Sequence, residues 1–348
     1  MAYRELVAQR NSTLTRRVEE PALRFHYWDA QGFDQRGWPW SLIALFVFVL
    51  AAMAAVLFFI LSAWGGSYLI EPVSFDDFFG EDGTQPFRRT FGIPSSVPDA
   101  MFVFASVAVV LPAVWLVARL VQGWRFGDIS SVVGRFRWKL FWAALALGSC
   151  VILALGVVDL AMSVTIDGNS FQWRGFSDDW WLALVMVVPL IALQSSAEEF
   201  VVRGWLPMTL HRFLPNTLFA AVISTVLFSA LHWGNEDVST SPLLAMGSFA
   251  ILSFWLSWLS LRFGGIEVAC GLHTANNMLI MMLADPQEVG LADFSLWTFQ
   301  MAGNNDAVPS AWIGLIVMWA VTIALFWMLA IWRRSPLRLT RFMGEPTE

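Results

Sequence analysis

VMVVPLIALQSSAEEFVVR, residues 185–203, decides how this chain is read. An apolar run from Val185 to Val202 is broken by two adjacent carboxylates, Glu198 and Glu199, and Arg203 follows at once. A charged side chain at the centre of a lipid-embedded helix costs at least ~3 kcal/mol, so such residues are rare and usually functional. Two later apolar stretches each carry one histidine, His232 and His273, of only 4 in the chain. An acid pair, an arginine and two imidazoles in apolar surroundings make a candidate site, and most of the remaining sequence reads as its housing.

The composition agrees with a membrane setting. Of 348 residues, 57% are hydrophobic and 14% charged, and the mean hydropathy is +0.61, which excludes an ordinary soluble domain. Apolar stretches of at least ~18 residues read as transmembrane helices. Eight such stretches lie at about 41–64, 100–121, 140–163, 181–202, 216–233, 243–261, 265–284 and 311–332. The chain is therefore expected to be all-α, a polytopic membrane protein of about eight transmembrane helices with a four-helix catalytic core. Trp38, Trp40, Trp64, Trp124, Trp138, Trp180 and Trp181 fall near the proposed span ends, as interfacial tryptophans do.

Arginine and lysine set the expected orientation. With the N-terminus cytoplasmic, the inside segments hold 16 of the 21 basic residues, against Arg88, Arg89 and Arg174 in the outside loops. Both termini are then cytoplasmic, in an integral protein expected in the cell (plasma) membrane. The first forty residues are polar and mixed in charge, which predicts an uncleaved anchor rather than a cleaved signal. Residues 1–38 read as a cytoplasmic arm. Residues 39–180 hold the first three spans, with a long external loop at 65–99 and a basic cytoplasmic link at 122–139. Residues 181–284 form the catalytic core, and 285–348 an external loop, the last span and a basic cytoplasmic tail. Cys150 and Cys270 both fall within spans and are expected as free thiols. No glycine-rich phosphate loop and no basic-aromatic nucleic-acid patch is present, so the expected partners are the bilayer and a peptide or protein in or at the membrane.

On a helix, Glu199 and Arg203 are four apart and share a face, in the favourable acid-before-base order. Glu198 points about 100° away, so the same contact does not neutralise it; Gln194 and Ser195 can share its face. His273 and Asn277 are also four apart. Glu198 and His232 each lie seventeen residues from Pro215 (215 − 198 and 232 − 215), so a helical hairpin turning there brings them to one depth. That requires the fourth helix to run to about residue 211. The depth of His273 matches if the seventh helix begins near Ser260. In such a cavity a buried glutamate can take a proton from water and return it to a leaving group. A histidine can orient the water, and a histidine with an amide can stabilise an oxyanion.

Three motifs in order, Glu198-Glu199-Phe200-Val201-Val202-Arg203, Phe228 to His232, and His273 to Asn277, resemble the CAAX-protease and bacteriocin-processing (CPBP, or Abi) family of intramembrane glutamic endopeptidases, type II CAAX prenyl endopeptidase-like. The resemblance covers roughly residues 181–284. It implies that Glu198 and His232 activate a water, that His273 and Asn277 form an oxyanion hole, and that Glu199 and Arg203 support them. It implies no cofactor and leaves the substrate open, prenylated or not.

Three other functions use the same residues. Glu198, His232 and His273 can be written as zinc ligands, although the H-E-x-x-H arrangement of most zinc proteases is absent. A transporter would use Glu198 as a proton relay, but the matching broken helices of two halves are missing. A bis-histidine haem protein would set His232 against His273. A non-proteolytic immunity or scaffold protein completes the alternatives.

Overall fold

Each of the eight apolar stretches is helical in the computed structural model, which describes residues 38–70, 72, 74–78, 95–211, 213, 217–234, 241–286, 293–300 and 309–332. In chain order, besides a single helical turn at Phe75–Phe78, the elements are α1 (Trp38–Ile70), α2 (Val97–Gln122), α3 (Phe126–Ser130), α4 (Trp138–Ile166), β1 (Ser170–Trp173) and α5 (Asp178–Leu210). They continue with α6 (Thr217–Leu231), α7 (Pro242–Phe263), α8 (Glu267–Leu283), β2 (Ala284–Pro286), β3 (Trp297–Gln300) and α9 (Pro309–Trp332). The chain is an all-α polytopic membrane protein: among the described residues five helices, α1, α2, α4, α5 and α7, are long and apolar enough to cross a bilayer. Their outward faces carry large apolar side chains such as Phe58, Leu147 and Val185, which water would not tolerate in such number.

The two ends of the expected 65–99 loop are helical. Helix α1 runs through Gly65 and Gly66 to Ile70, because glycine is tolerated inside membrane helices, and α2 starts at Val97. Residues 1–37, 79–94 and 333–348, which include the expected arm and basic tail, lie outside the described residues.

Helix α5 is the spine of the core. Ser177 caps its start by accepting the Trp180 N–H at 3.1 Å, with Asp178 and Asp179 in the first turn against the positive helix end. The helix reaches Leu210, as the hairpin argument required, and widens into a π-helical turn over Phe200–Trp205. Helix α8 packs on α5 and, backbone to backbone, on α4. A Cβ at Gly271 would stand 2.6 Å from the Phe141 carbonyl oxygen, so only glycine permits that approach.

The 122–139 segment is more than a basic link. Trp124 and Ile129 are fully buried in the core with Phe141, Phe200, Trp205 and Ile266. Its backbone meets the α7–α8 turn through Ile266 N–H to Ser130 O (3.0 Å) and Val132 N–H to Gly264 O (2.9 Å). Arg137 then closes on the buried Glu267, with Nε 2.9 Å from Oε1 and Nη2 2.7 Å from Oε2, and gives Nη1 to the Phe263 carbonyl at 2.9 Å. Apolar residues interleaved with the arginines drive this burial, while Arg135 stays exposed.

A three-stranded sheet in the order β1-β3-β2 ties together the loops after α4, after α8 and before α9. It is antiparallel between β1 and β3 and parallel between β3 and β2, and Trp173 and Trp297 meet across it with ring centroids 4.8 Å apart. Sequence alone gave no sign of it, since each strand has only three or four residues.

Candidate active site

The last turns of α5 before its π-helical segment supply both carboxylates, and they are treated differently. Glu199 is fully buried; its Oε1 accepts from Arg203 Nη1 at 2.8 Å and lies 2.8 Å from His273 Nδ1. Arg203, also fully buried, gives Nη2 to Ser253 Oγ of α7 at 2.7 Å. Its guanidinium lies over the Phe228 ring, 4.3 Å from the centroid, a favourable cation–π contact. Arg203 therefore fastens α5 to both α6 and α7.

Glu198 is held by neither the arginine nor a short histidine contact. Its side chain is 18% exposed, and among the described residues its buried Oε2 has no hydrogen bond. His273 Nε2 lies 3.5 Å from that oxygen, longer than a well-formed hydrogen bond. One imidazole thus faces both glutamates, Nδ1 to the buried one and Nε2 to the half-open one. The Nδ1 contact with a carboxylate that also holds an arginine assigns the Nδ1 proton and leaves Nε2 for chemistry.

His232 stands just past the end of α6, in the turn that follows Leu231, rather than within the helix. Its Nδ1 lies 2.7 Å from the Phe228 carbonyl oxygen, which can only accept, so again Nε2 is the nitrogen left available. The ring is held between Phe228 (centroids 4.4 Å apart) and Phe249 of α7 (4.7 Å). Phe228 also meets the edge of His273 at 5.8 Å. The two histidines and Arg203 therefore converge on one aromatic ring, and this explains why a phenylalanine stands four residues before His232.

Asn277 lies on the His273 face of α8, one turn on. Its Nδ2 donates to Gln194 Oε1 at 3.1 Å, with Ser195 Oγ at 3.4 Å, and its Oδ1 accepts from Asn276 Nδ2 at 3.1 Å. All six residues picked out in the sequence thus belong to one neighbourhood of α5, α6 and α8. Ser253 and Phe249 were not predicted as part of it, whereas Phe228, the first residue of the second motif, and Gln194, in phase with Glu198, were legible in the sequence.

The depth of His273 is reached by a different route from the one expected. Helix α7 continues to Phe263 and α8 begins at Glu267, not near Ser260. Glu199 lies ~16 Å of helix from Leu210, and His273 only ~9 Å from Glu267, at ~1.5 Å per residue. The α7–α8 turn is held in place by Ser130 and Arg137.

Residues 179–279 match the family model described as Rce1-like, type II CAAX prenyl endopeptidase Rce1-like. The segment forms an Rce1-like domain. That family is one of membrane proteases, and all six site residues fall inside the matched stretch. The uncharacterized protein YyaK of Bacillus subtilis (strain 168) is 26% identical over 175 residues, which is 49% of this chain and 56% of that protein. The chain thus spans about half the length of this curated relative. No solved structure matches the chain. The Rce1-like domain holds the whole of α5 to α7 apart from the first residue of α5, and most of α8; α1 to α4 and α9 lie outside it.

Proposed function

We propose that the chain is an intramembrane endopeptidase that hydrolyses peptide bonds of membrane-associated or lipidated peptides or proteins with a water activated by Glu198. The contrast between the two neighbouring glutamates carries this function: Glu199 is fully buried with Oε1 shared by Arg203 Nη1 and His273 Nδ1, whereas Glu198 is 18% exposed and keeps a carboxylate oxygen without a hydrogen bond, 3.5 Å from His273 Nε2. A general base needs such an oxygen.

In the proposed reaction Glu198 takes a proton from water while His232 Nε2 accepts the other hydrogen of that water and orients it. The water oxygen attacks the scissile carbonyl carbon. The oxyanion meets an Asn277 Nδ2 hydrogen and, when protonated, His273 Nε2. Glu198 then returns its proton to the leaving nitrogen as the C–N bond breaks. Aligned donors at the oxyanion and a positioned base each supply a recognised part of the acceleration.

We read the reaction as independent of bound metal. A catalytic zinc takes three protein ligands, and among the described residues no group of three or more His, Cys, Asp or Glu side chains is spaced to hold a metal ion. The proposed setting is the cell membrane, with both termini cytoplasmic, following the distribution of basic residues.

Comparative peptidomics of membranes from cells bearing the native chain or Glu198→Gln tests the function. Peptides that appear only with the native chain support it. Identical peptidomes, with both proteins present in equal amount, refute it.

A further inference from the structure

Helices α5 and α8 run antiparallel past the site and are joined by two polar rungs. The first is Glu199–His273. The second, one helical turn away, is Gln194–Asn277, with Oε1 of Gln194 accepting from Nδ2 of Asn277 at 3.1 Å. Gln194 is buried and lies four residues before Glu198, ~6 Å along the helix. It belongs to none of the three motifs.

We infer that Gln194 is a positioning residue for the reaction, aiming the amide of Asn277 at the strip of α5 that carries Glu198. The inference rests on the endopeptidase function proposed above. One set of hydrogen bonds orients both amides. Gln194 Oε1 accepts twice, from Asn277 Nδ2 at 3.1 Å and from Ser195 Oγ at 3.2 Å, which sets its oxygen toward α8. Asn277 Oδ1 accepts from Asn276 at 3.1 Å, which sets the nitrogen of Asn277 toward α5. An amide nitrogen has two hydrogens. Gln194 holds one firmly, and the other has only Ser195 Oγ at 3.4 Å, at the long limit of a hydrogen bond.

The second hydrogen is thus directed but weakly engaged, as an oxyanion donor must be before substrate arrives. An oxyanion displaces Ser195 at small cost, because the serine keeps its own bond to Gln194. Without the Gln194 acceptor, the Asn277 nitrogen keeps only the long Ser195 contact on the α5 side. The donor would then have to be ordered anew in each transition state.

The experiment is a double-mutant cycle of Gln194→Leu and Asn277→Ala in purified full-length protein reconstituted in liposomes. Cleavage is read on a prenylated CAAX peptide and on an apolar single-span peptide. Gln194→Leu is expected to lower kcat roughly 10- to 100-fold with KM changed less than about twofold, since the lost alignment matters in the transition state. The double variant should be no slower than Asn277→Ala alone, because Gln194 acts through Asn277. Thermal unfolding of each variant reports whether it is folded, and rates are taken per folded molecule. Near-native kcat in Gln194→Leu, or losses that multiply in the double variant, overturns the positioning role and leaves the endopeptidase standing. Native-like turnover in Asn277→Ala overturns the donor role of Asn277 and the inference with it, whereas no cleavage of either peptide by the unsubstituted chain overturns the proposed function as well.

Discussion

His273 reaches from α8 to α5 and sets its Nδ1 2.8 Å from Oε1 of Glu199, the same oxygen that Arg203 holds at 2.8 Å. Glu199 therefore fixes the orientation of the imidazole whose other nitrogen faces Glu198. In the proposed function the two adjacent carboxylates have separable tasks, one in structure and one in chemistry, and substitution distinguishes them.

Glu198→Gln should abolish turnover and leave folding intact. The amide keeps the size of the side chain but cannot take a proton from water, so the loss should reach at least the ~10²–10⁴-fold associated with a general base. Product formation per folded molecule, with a thermal melt in detergent as control, checks both halves. A variant with near-native turnover would make Glu198 structural and the hydrolase unsupported.

Glu199→Gln should cost stability as well as activity. It removes the counter-charge of Arg203 and the acceptor of His273 together. Breaking a buried pair from one side costs ~3–5 kcal/mol. The expected result is a lower yield and a lower midpoint of unfolding, in contrast to Glu198→Gln. Equal midpoints for the two variants would remove the assigned difference.

Gly271→Ala should separate α8 from α4. The added methyl would stand 2.6 Å from the Phe141 carbonyl oxygen and 2.9 Å from Ala144 Cβ, with backbone on one side that cannot turn away. Overpacking of this kind costs ~1–3 kcal/mol. A drop in unfolding midpoint together with weaker turnover is expected, because His273 sits two residues on. An unchanged midpoint would mean that α4 and α8 are less closely packed than described.

Membrane-impermeant thiol labelling should mark Arg135→Cys from the cytoplasmic side and Ser177→Cys from the opposite side. Both positions are exposed, and they flank α4 at its two ends. The motive is the uneven distribution of basic residues across the expected loops. Labelling of Ser177→Cys from the cytoplasm would invert the topology.

A chelator such as 1,10-phenanthroline should leave cleavage by the purified protein unchanged. Loss of activity that zinc restores would instead make Glu198 and the histidines metal ligands.

Much of this was legible in the sequence because lipid makes polarity informative. Glu198, Glu199, Arg203 and His273 stood out since nothing apolar explains them, and the i, i+4 spacing gave the Glu199–Arg203 pair directly. The register of α5 and α6 about Pro215 was also foreseen, although residues 214–216 themselves lie outside the described part. Less legible were the features that depend on contacts between distant segments. Hydropathy measures length along one helix, so it missed that the α7–α8 turn is held by Arg137, 130 residues before Glu267. Residues 122–139 were read only as a basic cytoplasmic link, when Ile129 and Trp124 are fully buried. Strands as short as β1 to β3 leave no periodicity to detect.

The π-helical turn at Phe200–Trp205 carries one residue more than an α-helix would use over the same rise. The indole of Trp205 reaches Gln122 at 2.6 Å, and Gln122 in turn holds Thr209 at 3.0 Å, only because that extra residue has rotated the helix between the acid pair and its end. Chain length here is consequently under constraint even where side-chain identity is not. Deleting Val201, which is only half-buried, would relax the turn to ordinary helix and swing everything after it by about 100°. Glu198 and Glu199 would remain where they are, detached from the Trp205–Gln122–Thr209 network that anchors their helix to α2. Among relatives, substitutions at this position should therefore be common and length changes rare.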